Sequence, residues 1–386
     1  MGLQAKAGKG RRGGRVRRTL VAAALTASVV AGTAGWAVGS EQQAVTGPVP
    51  GVSSWRADRD LGRQLPDPVT ASPAQVAAFF GALSPAQQQA LAARHPLVVG
   101  NMDGAPVALR YEANARALKE EQAKQRARAE DPALTPTDRQ AAKERAARYG
   151  QLLADGRQIL AFDPRGRGQV AEVYGDLAAA GHVSVVVPGS DIDLNTFDRT
   201  TDRYGTPTGM ARSLYAATGH RTAVIAWAGY TTPVGLGPDA ATGRLAEAGA
   251  PRLARFVQGL VASGAAEPAV FCHSYGSVVC GLAADRMPAA DLVVAGSPGM
   301  RADNVAELHT KARVWAAKDA GDWIDNVPHV EFLGLGHGAD PADPGFGARA
   351  VPAARAEGHT GYFAPGTDSL RAFARIALGD PAAGQA

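Results

Sequence analysis

The sequence predicts an α/β fold: a mostly parallel sheet with an antiparallel start, preceded by a helical front domain. Three observations predict it. Residues 71–154 carry repeated helix-start signals and charged helical stretches. From Arg157 onward the pattern changes to short apolar runs separated by turns. The later runs alternate with helical patterns such as TPTGMARSLYAAT and GAPRLARFVQGLVAS, as strands joined by helical crossovers require.

The totals are consistent with a folded body. The chain has 386 residues, 46% hydrophobic and 20% charged, which is a globular rather than a disordered composition. Its net charge of +4 is misleading, because residues 1–18 hold seven Lys and Arg and no acid. Without them, 40 − 7 leaves 33 basic against 36 acidic residues. A mildly acidic body has no electrostatic footprint for nucleic acid.

The basic cluster runs into TLVAAALTASVVAGTAGWAVGS, and no charge separates Arg18 from Glu41. A charged start, an apolar run and small residues make an export signal. The run is also long enough to cross a bilayer, at roughly 20 residues per span. Residues 1–40 are therefore expected to be a signal peptide or an N-terminal membrane anchor through residues 19–38. Basic residues on the N-terminal side place the body outside the cell membrane in either case.

Residues 41–70, rich in Pro, Gly and Ser, read as a linker. The front domain, 71–154, begins with Ser72-Pro73-Ala74-Gln75 and Ser84-Pro85-Ala86-Gln87. Each has a capping Ser, Pro in the first turn and Gln three residues on, as a capping box demands. LVVGNMDGAPVALRYEANARAL reads as a short apolar strand or turn followed by a helix. The charge runs beyond it read as solvated helix faces, broken at Asp131-Pro132 and restarted at Thr135.

The second domain, 155–386, opens with RQILAFDPRGRGQVAEVYGD, a hairpin turning at Asp163-Pro164-Arg165-Gly166. HVSVVVPG, TAVIAWAG, PAVFCHS, ADLVVAGSP and ARVWAAKD follow as buried strands, and HVEFLGLG (329–336) as another.

The candidate chemistry centres on VFCHSYGSVVCG, residues 270–281. Ser274 stands where an apolar strand ends and a helix begins, at the edge of the sheet where ligands bind. Small residues are needed two before and two after such a serine, because strand and helix nearly touch. Gly276 supplies one, and Cys272 stands at the other. Cys272 lies about 6.6 Å below the turn at ~3.3 Å per strand residue. Cys280 lies about 7.5 Å below it at ~1.5 Å per helix residue, on the face turned to the strand. Level and facing in an exported protein, the two are expected to form a disulfide.

A serine hydroxyl becomes a nucleophile when a histidine takes its proton and an acid orients that histidine. On this kind of sheet the chain order is Ser, acid, His. His95, His182, His220 and His273 precede or adjoin the serine, His309 precedes the candidate acids, and His329 starts a strand. His359, in a loop ahead of the last helix, is preferred, with His337 as the alternative. Of Asp322 and Asp319, Asp322 is preferred because it lies farther out on the loop after ARVWAA. The backbone N–H of Tyr275, and that of Ser190 beside Gly189, are the candidate oxyanion donors. Asp191, Asp193 and Asn195 alternate as in a calcium loop, but Thr196 stands where the loop's glycine belongs, so no metal is assigned. No zinc spacing, phosphate loop or dinucleotide fingerprint is present, and no cofactor is expected.

HPLVVGNMDGAPVALRYEANARAL, VVVPGSDIDLNTF, IAWAGYTTP, CHSYGSVVCG, GDWI, GLGHGADP and GHTGYFAPGTDSLRAFARIALG together resemble the α/β-hydrolase superfamily. Within it they resemble an actinobacterial group with a helical N-terminal segment, catalogued as a domain of unknown function. The resemblance spans about residues 95–380 and implies a Ser-His-Asp hydrolase, carried by Ser274, His359 and Asp322. The expectation is an exported serine hydrolase acting on a small-molecule ester or lipid-like substrate. GYTTPVGLGPDAATG and the front helices are candidate covers of its site. The competing reading is a catalytically silent fold serving as a cell-surface scaffold.

Overall fold

The structure, a computed structural model, describes residues 42–384 apart from Pro328 and Leu333. The segment expected to be a signal or anchor lies outside the described residues. Among the described residues no helix is long and apolar enough to cross a membrane.

The front region holds α1 (Val52–Ala57), α2 (Pro73–Gly81), α3 (Pro85–Arg94), α4 (Pro96–Gly100), α5 (Val107–Glu130) and α6 (Pro136–Leu152). Ser72 and Ser84 start α2 and α3 with complete capping boxes, each hydroxyl accepting from the Gln N–H and each Gln side chain returning to the Ser N–H. Two expectations fail here. LVVG is helical rather than extended: Pro96 occupies the first turn of α4, and an apolar run this short carries no period to tell strand from helix. Residues 41–70 are not a free linker either. Trp55 on α1 is fully buried among Val76, Phe80 and Leu91, and its indole N–H donates to the Pro66 carbonyl at 2.8 Å.

The second region comprises β1 (Gln158–Asp163), β2 (Gln169–Tyr174), β3 (Val183–Val187), α7 (Pro207–Ala217), β4 (Ala223–Ala228), α8 (Pro238–Ala241), α9 (Arg244–Ala262), β5 (Ala269–His273), α10 (Gly276–Ala283), β6 (Asp291–Ala295), β7 (Arg313–Ala317), β8 (Glu331–Phe332), β9 (Leu335–Gly336), β10 (Arg349–Val351) and α11 (Asp368–Ala377). Eight strands form one sheet in the order β1-β2-β4-β3-β5-β6-β7-β10. β1–β2 and β2–β4 are antiparallel and the remaining pairs parallel. β3 to β6 are buried at every position, which is why they read as continuous apolar runs. α9 and α10 cover one face of the sheet, and α7 and α11 the other.

HVEFLGLG is not a buried strand of this sheet. It contains the separate hairpin β8–β9, with Leu335 44% exposed, and β10 takes the last place in the large sheet. β10 escaped notice because Arg349 and Ala350 are exposed, leaving no apolar run.

The edge strand β1 is covered by the front helices, which prevents its use as a pairing template. Asn101 donates to the Phe162 carbonyl at 2.6 Å and accepts from the Phe162 N–H at 3.1 Å. Asn114 donates to the Ile159 carbonyl at 3.1 Å. Leu118, Tyr149 and Leu152 then pack on Phe162 and Val170.

At the middle of the sheet the winding changes direction. β3 leads through α7 to β4 on one side, while β5 leads through α10 to β6 on the other. Loops leaving β3 and β5 therefore diverge over a crevice at the carboxyl ends of the strands. Pairing of Val187 with Cys272 sets Gly189 and Ser190 level with Ser274 and Tyr275 across that crevice.

Candidate active site

Ser274 lies between β5 and α10 with φ 54°, a left-handed conformation unfavourable to a side-chain-bearing residue. Surrounding contacts hold it there. Its N–H donates to the Ala295 carbonyl at 3.0 Å, and its carbonyl accepts from the Ser277 N–H at 2.9 Å and from the Ser277 hydroxyl. Gly276 is required by close packing: a Cβ there would fall 2.6 Å from the Pro188 carbonyl oxygen. A disulfide joins Cys272 to Cys280, tying the end of β5 to α10 directly beneath the serine.

Asp322 caps the short 3-10 turn Trp323–Asn326 after β7. One carboxylate oxygen accepts from the Ile324 N–H at 2.9 Å. The group is 2% exposed. Burial alone would raise its pKa, but hydrogen bonds from His359 and Tyr362 outweigh this and hold it below the usual carboxylate value. The Tyr362 phenol donates to Oδ2 at 2.6 Å and is itself pushed up by burial and by Asp322.

His359 sits in the loop before α11. Its Nδ1 lies 2.8 and 3.0 Å from the two Asp322 oxygens, and its Nε2 lies 2.8 Å from Ser274 Oγ. A carboxylate only accepts, so Nδ1 carries the proton and Nε2 is left bare to accept from the serine hydroxyl. Trp323 lies against the imidazole with ring centroids 4.4 Å apart.

The other sequence candidates are placed elsewhere. His337 does not bond to Ser274. It is 3% exposed, its Nε2 donates to the Ala240 carbonyl at 2.8 Å, its ring meets Tyr275 edge-on, and burial pushes it down to about 4. Asp319 supports the loop rather than the imidazole, accepting from the Gly358 N–H at 2.8 Å. Asp193 is occupied by Arg167 at 2.9 Å and by the N–H groups of Asn195 and Thr196. No front helix hydrogen-bonds to Ser274, Asp322 or His359 among the described residues.

Gly189 lies against the serine, since a Cβ on it would fall 2.6 Å from Ser274 Cβ. Among the described residues the backbone N–H groups of Ser190 and Tyr275 make no hydrogen bond. Two donors on opposite lips of the crevice are thus available to an oxygen next to Ser274 Oγ.

Three residues of the site were missed by sequence reasoning. Gly296 follows β6 with φ 56°, and a Cβ there would fall 2.8 Å from Asp322 Oδ2 and 3.1 Å from His359 Nδ1. Tyr362 bridges Asp322 and the Asp319 N–H, the latter at 3.0 Å. His273, set aside for adjoining the serine, donates from Nε2 to the His359 carbonyl at 2.6 Å and fixes that loop. Burial and the neighbouring His359 push it down to about 3, so it stays neutral. The words GHTGYF and CHS contain two of these residues, but nothing in either word reports where its side chain ends.

A groove of about 1300 Å³ lies elsewhere, between β2, α7 and α11. It is lined by residues such as Arg157, Arg212 and Arg371 and includes none of Ser274, Asp322 or His359. That groove is roomy, but the nucleophile–base geometry favours the crevice, and the chemistry is the better guide.

Comparison with known proteins agrees with the fold. A profile of the α/β-hydrolase family matches residues 163–332. Two uncharacterized proteins from strains of Mycobacterium tuberculosis are each 30% identical over 374 residues, covering 82% of this chain. The chain spans 57% of the length of these relatives. Among solved structures, VinJ is 22% identical with a TM-score of 0.25, over 38% of this chain and 45% of its own. A 2,6-dihydroxy-pseudo-oxynicotine hydrolase is 13% identical with a TM-score of 0.29, over 72% of this chain and 79% of its own. The family assignment rests on the profile and not on these two structures.

Proposed function

We propose that this chain, which belongs to the α/β-hydrolase family through residues 163–332, is an exported serine hydrolase that cleaves carboxylic esters through an acyl-enzyme. One observation carries the reading: Ser274 Oγ, His359 and Asp322 form a continuous hydrogen-bonded line, 2.8 Å at each link. Ser274 Oγ attacks the ester carbonyl carbon while His359 Nε2 takes its proton. Asp322 remains ionised, keeps the imidazole in the required tautomer and stabilises its positive charge. The carbonyl oxygen, now an oxyanion, meets the free N–H groups of Tyr275 and Ser190. His359 then gives its proton to the departing alkoxide, leaving an acyl-serine. Water attacks the acyl carbon with His359 again as base, releasing the acid and restoring the hydroxyl.

The disulfide supports export, because such bonds persist in oxidising compartments. So does the basic start followed by an uncharged run from 19 to 40. The test is a series of short- to long-chain aryl esters. Turnover should be lost in Ser274→Ala with the thermal transition retained. Equal turnover by that variant would contradict the reading.

A further inference from the structure

Six large apolar side chains are exposed among the described residues, and five lie in the segments that follow β4 and β7: Val234, Leu236, Trp323, Val330 and, on the hairpin strand β9, Leu335. These loops border the crevice from both sides. The Asp191 N–H donates to the Pro233 carbonyl at 2.8 Å, and the Gly235 N–H donates to Asp191 Oδ1 at 2.8 Å. Val234 and Leu236 thus flank a glycine anchored one residue beyond Ser190. Opposite them Trp323 covers the imidazole of His359. Leu335 joins the two sides through a bridge to Thr242. An apolar rim around a polar crevice is the composition of an interaction surface.

The start of the described chain says what faces it. The Gln42 N–H donates to Asp239 Oδ2 at 2.8 Å, the Val45 N–H donates to Thr231 Oγ1 at 3.0 Å, and Arg167 donates to the Gln42 side-chain oxygen at 2.9 Å. The chain therefore enters the body on the same loop that exposes Val234 and Leu236. The uncharged apolar run of residues 19–38 ends only four residues earlier. Four residues reach at most about 14 Å at ~3.5 Å per extended residue, so the connection is short.

We propose that this edge of the sheet docks on a lipid bilayer, with residues 19–38 retained as the tether and Val234, Leu236 and Trp323 entering the headgroup region. Exposed aliphatic and Trp side chains suit that region, where apolar surface is buried and the indole N–H stays hydrated. The docking stands apart from catalysis. Joined to the reading of Ser274 above, on which this clause rests, it makes the substrate an amphiphilic ester presented by the membrane.

The test uses the full chain in vesicles of phosphatidylcholine and phosphatidylglycerol. Cys272 and Cys280 are paired and no other cysteine exists, so one introduced thiol can be labelled alone. A polarity-sensitive dye is placed on Leu236→Cys and, as a control, on Lys311→Cys at the opposite edge of the sheet, before β7. Lipids with brominated acyl chains should quench the dye at 236 several-fold more than at 311, and aqueous iodide should do the reverse. Equal quenching at both positions would overturn the proposal, whether a second copy or the N-terminal segment itself covers the loops. Removal of residues 19–38 from the mature protein would also overturn it. Neither readout involves turnover, and Ser274→Ala should leave both unchanged, so a failure here is separable from a failure of the hydrolase reading.

Discussion

The two shells around Ser274 are built to opposite rules. In the inner shell Asp322, Tyr362 and His273 are buried and hydrogen-bonded, and Gly189 and Gly296 leave no room for a methyl group. In the outer shell the loops after β4 and β7 expose Val234, Leu236 and Trp323. Burying a carboxylate is costly unless its oxygens are satisfied, and Asp322 is satisfied by three donors. That cost is accepted where atoms must be held to a fraction of an ångström. The outer loops carry no such constraint and are free to meet a partner or substrate. Position is fixed inside, and apolar surface is left exposed outside.

The largest expected effect comes from the inner shell. Asp322→Asn should keep the fold, because the amide fills the same volume, but it lets Nδ1 accept and so favours the wrong tautomer. Turnover of an aryl ester should fall by about 10⁴-fold. A fall of less than tenfold would remove Asp322 from the account and return Asp319 to consideration. Gly189→Ala comes next. Its methyl group would press on Ser274 Cβ, and displacement of the nucleophile by about 1 Å costs roughly 10²-fold in turnover. An unchanged rate would mean that the lip yields, and that the tight packing is incidental.

The contrast also explains what the sequence could and could not disclose. Strands β3 to β7 were legible because burial on both faces leaves unbroken apolar runs, and α2 and α3 because a capping box is a local code. HVEFLGLG misled because an apolar run on an exposed hairpin looks the same as one in a core. Trp55 shows the converse, since a Pro- and Gly-rich stretch can still bury one large side chain. Ser274, Asp322 and His359 could be nominated because chain order on this sheet constrains them. Gly296 and Tyr362 could not, because their roles exist only through contacts between loops far apart in sequence.

Acid should weaken the fold through two buried histidines, one inside the inner shell and one outside it. His273 and His337 are held neutral at about 3 and about 4, against 6.5 for an ordinary histidine. Between those limits the unfolded chain binds more protons than the folded one. Stability is therefore full above pH 6.5 and declines as pH falls, by up to about 1.4 kcal/mol per pH unit for each histidine. Urea midpoints at successive pH values below neutrality report this, and His337→Gln should flatten the slope. A midpoint independent of pH would mean that neither ring is held neutral. The smallest effect belongs to the outer shell. Leu236→Ser should change turnover of a soluble short-chain ester by no more than about twofold, since an exposed substitution usually shifts stability by no more than about 0.5 kcal/mol and the fold is kept. A large loss on that substrate would move the loop from recognition into the catalytic frame.

The central claim is that the hydroxyl of Ser274 is the activated nucleophile. Its most direct test is covalent labelling of the folded protein with a fluorophosphonate, with the adduct located by peptide mass. The account predicts one adduct, on Ser274, absent in Ser274→Ala and formed far more slowly in Asp322→Asn. No adduct on folded protein, or one that persists in Ser274→Ala, would contradict it.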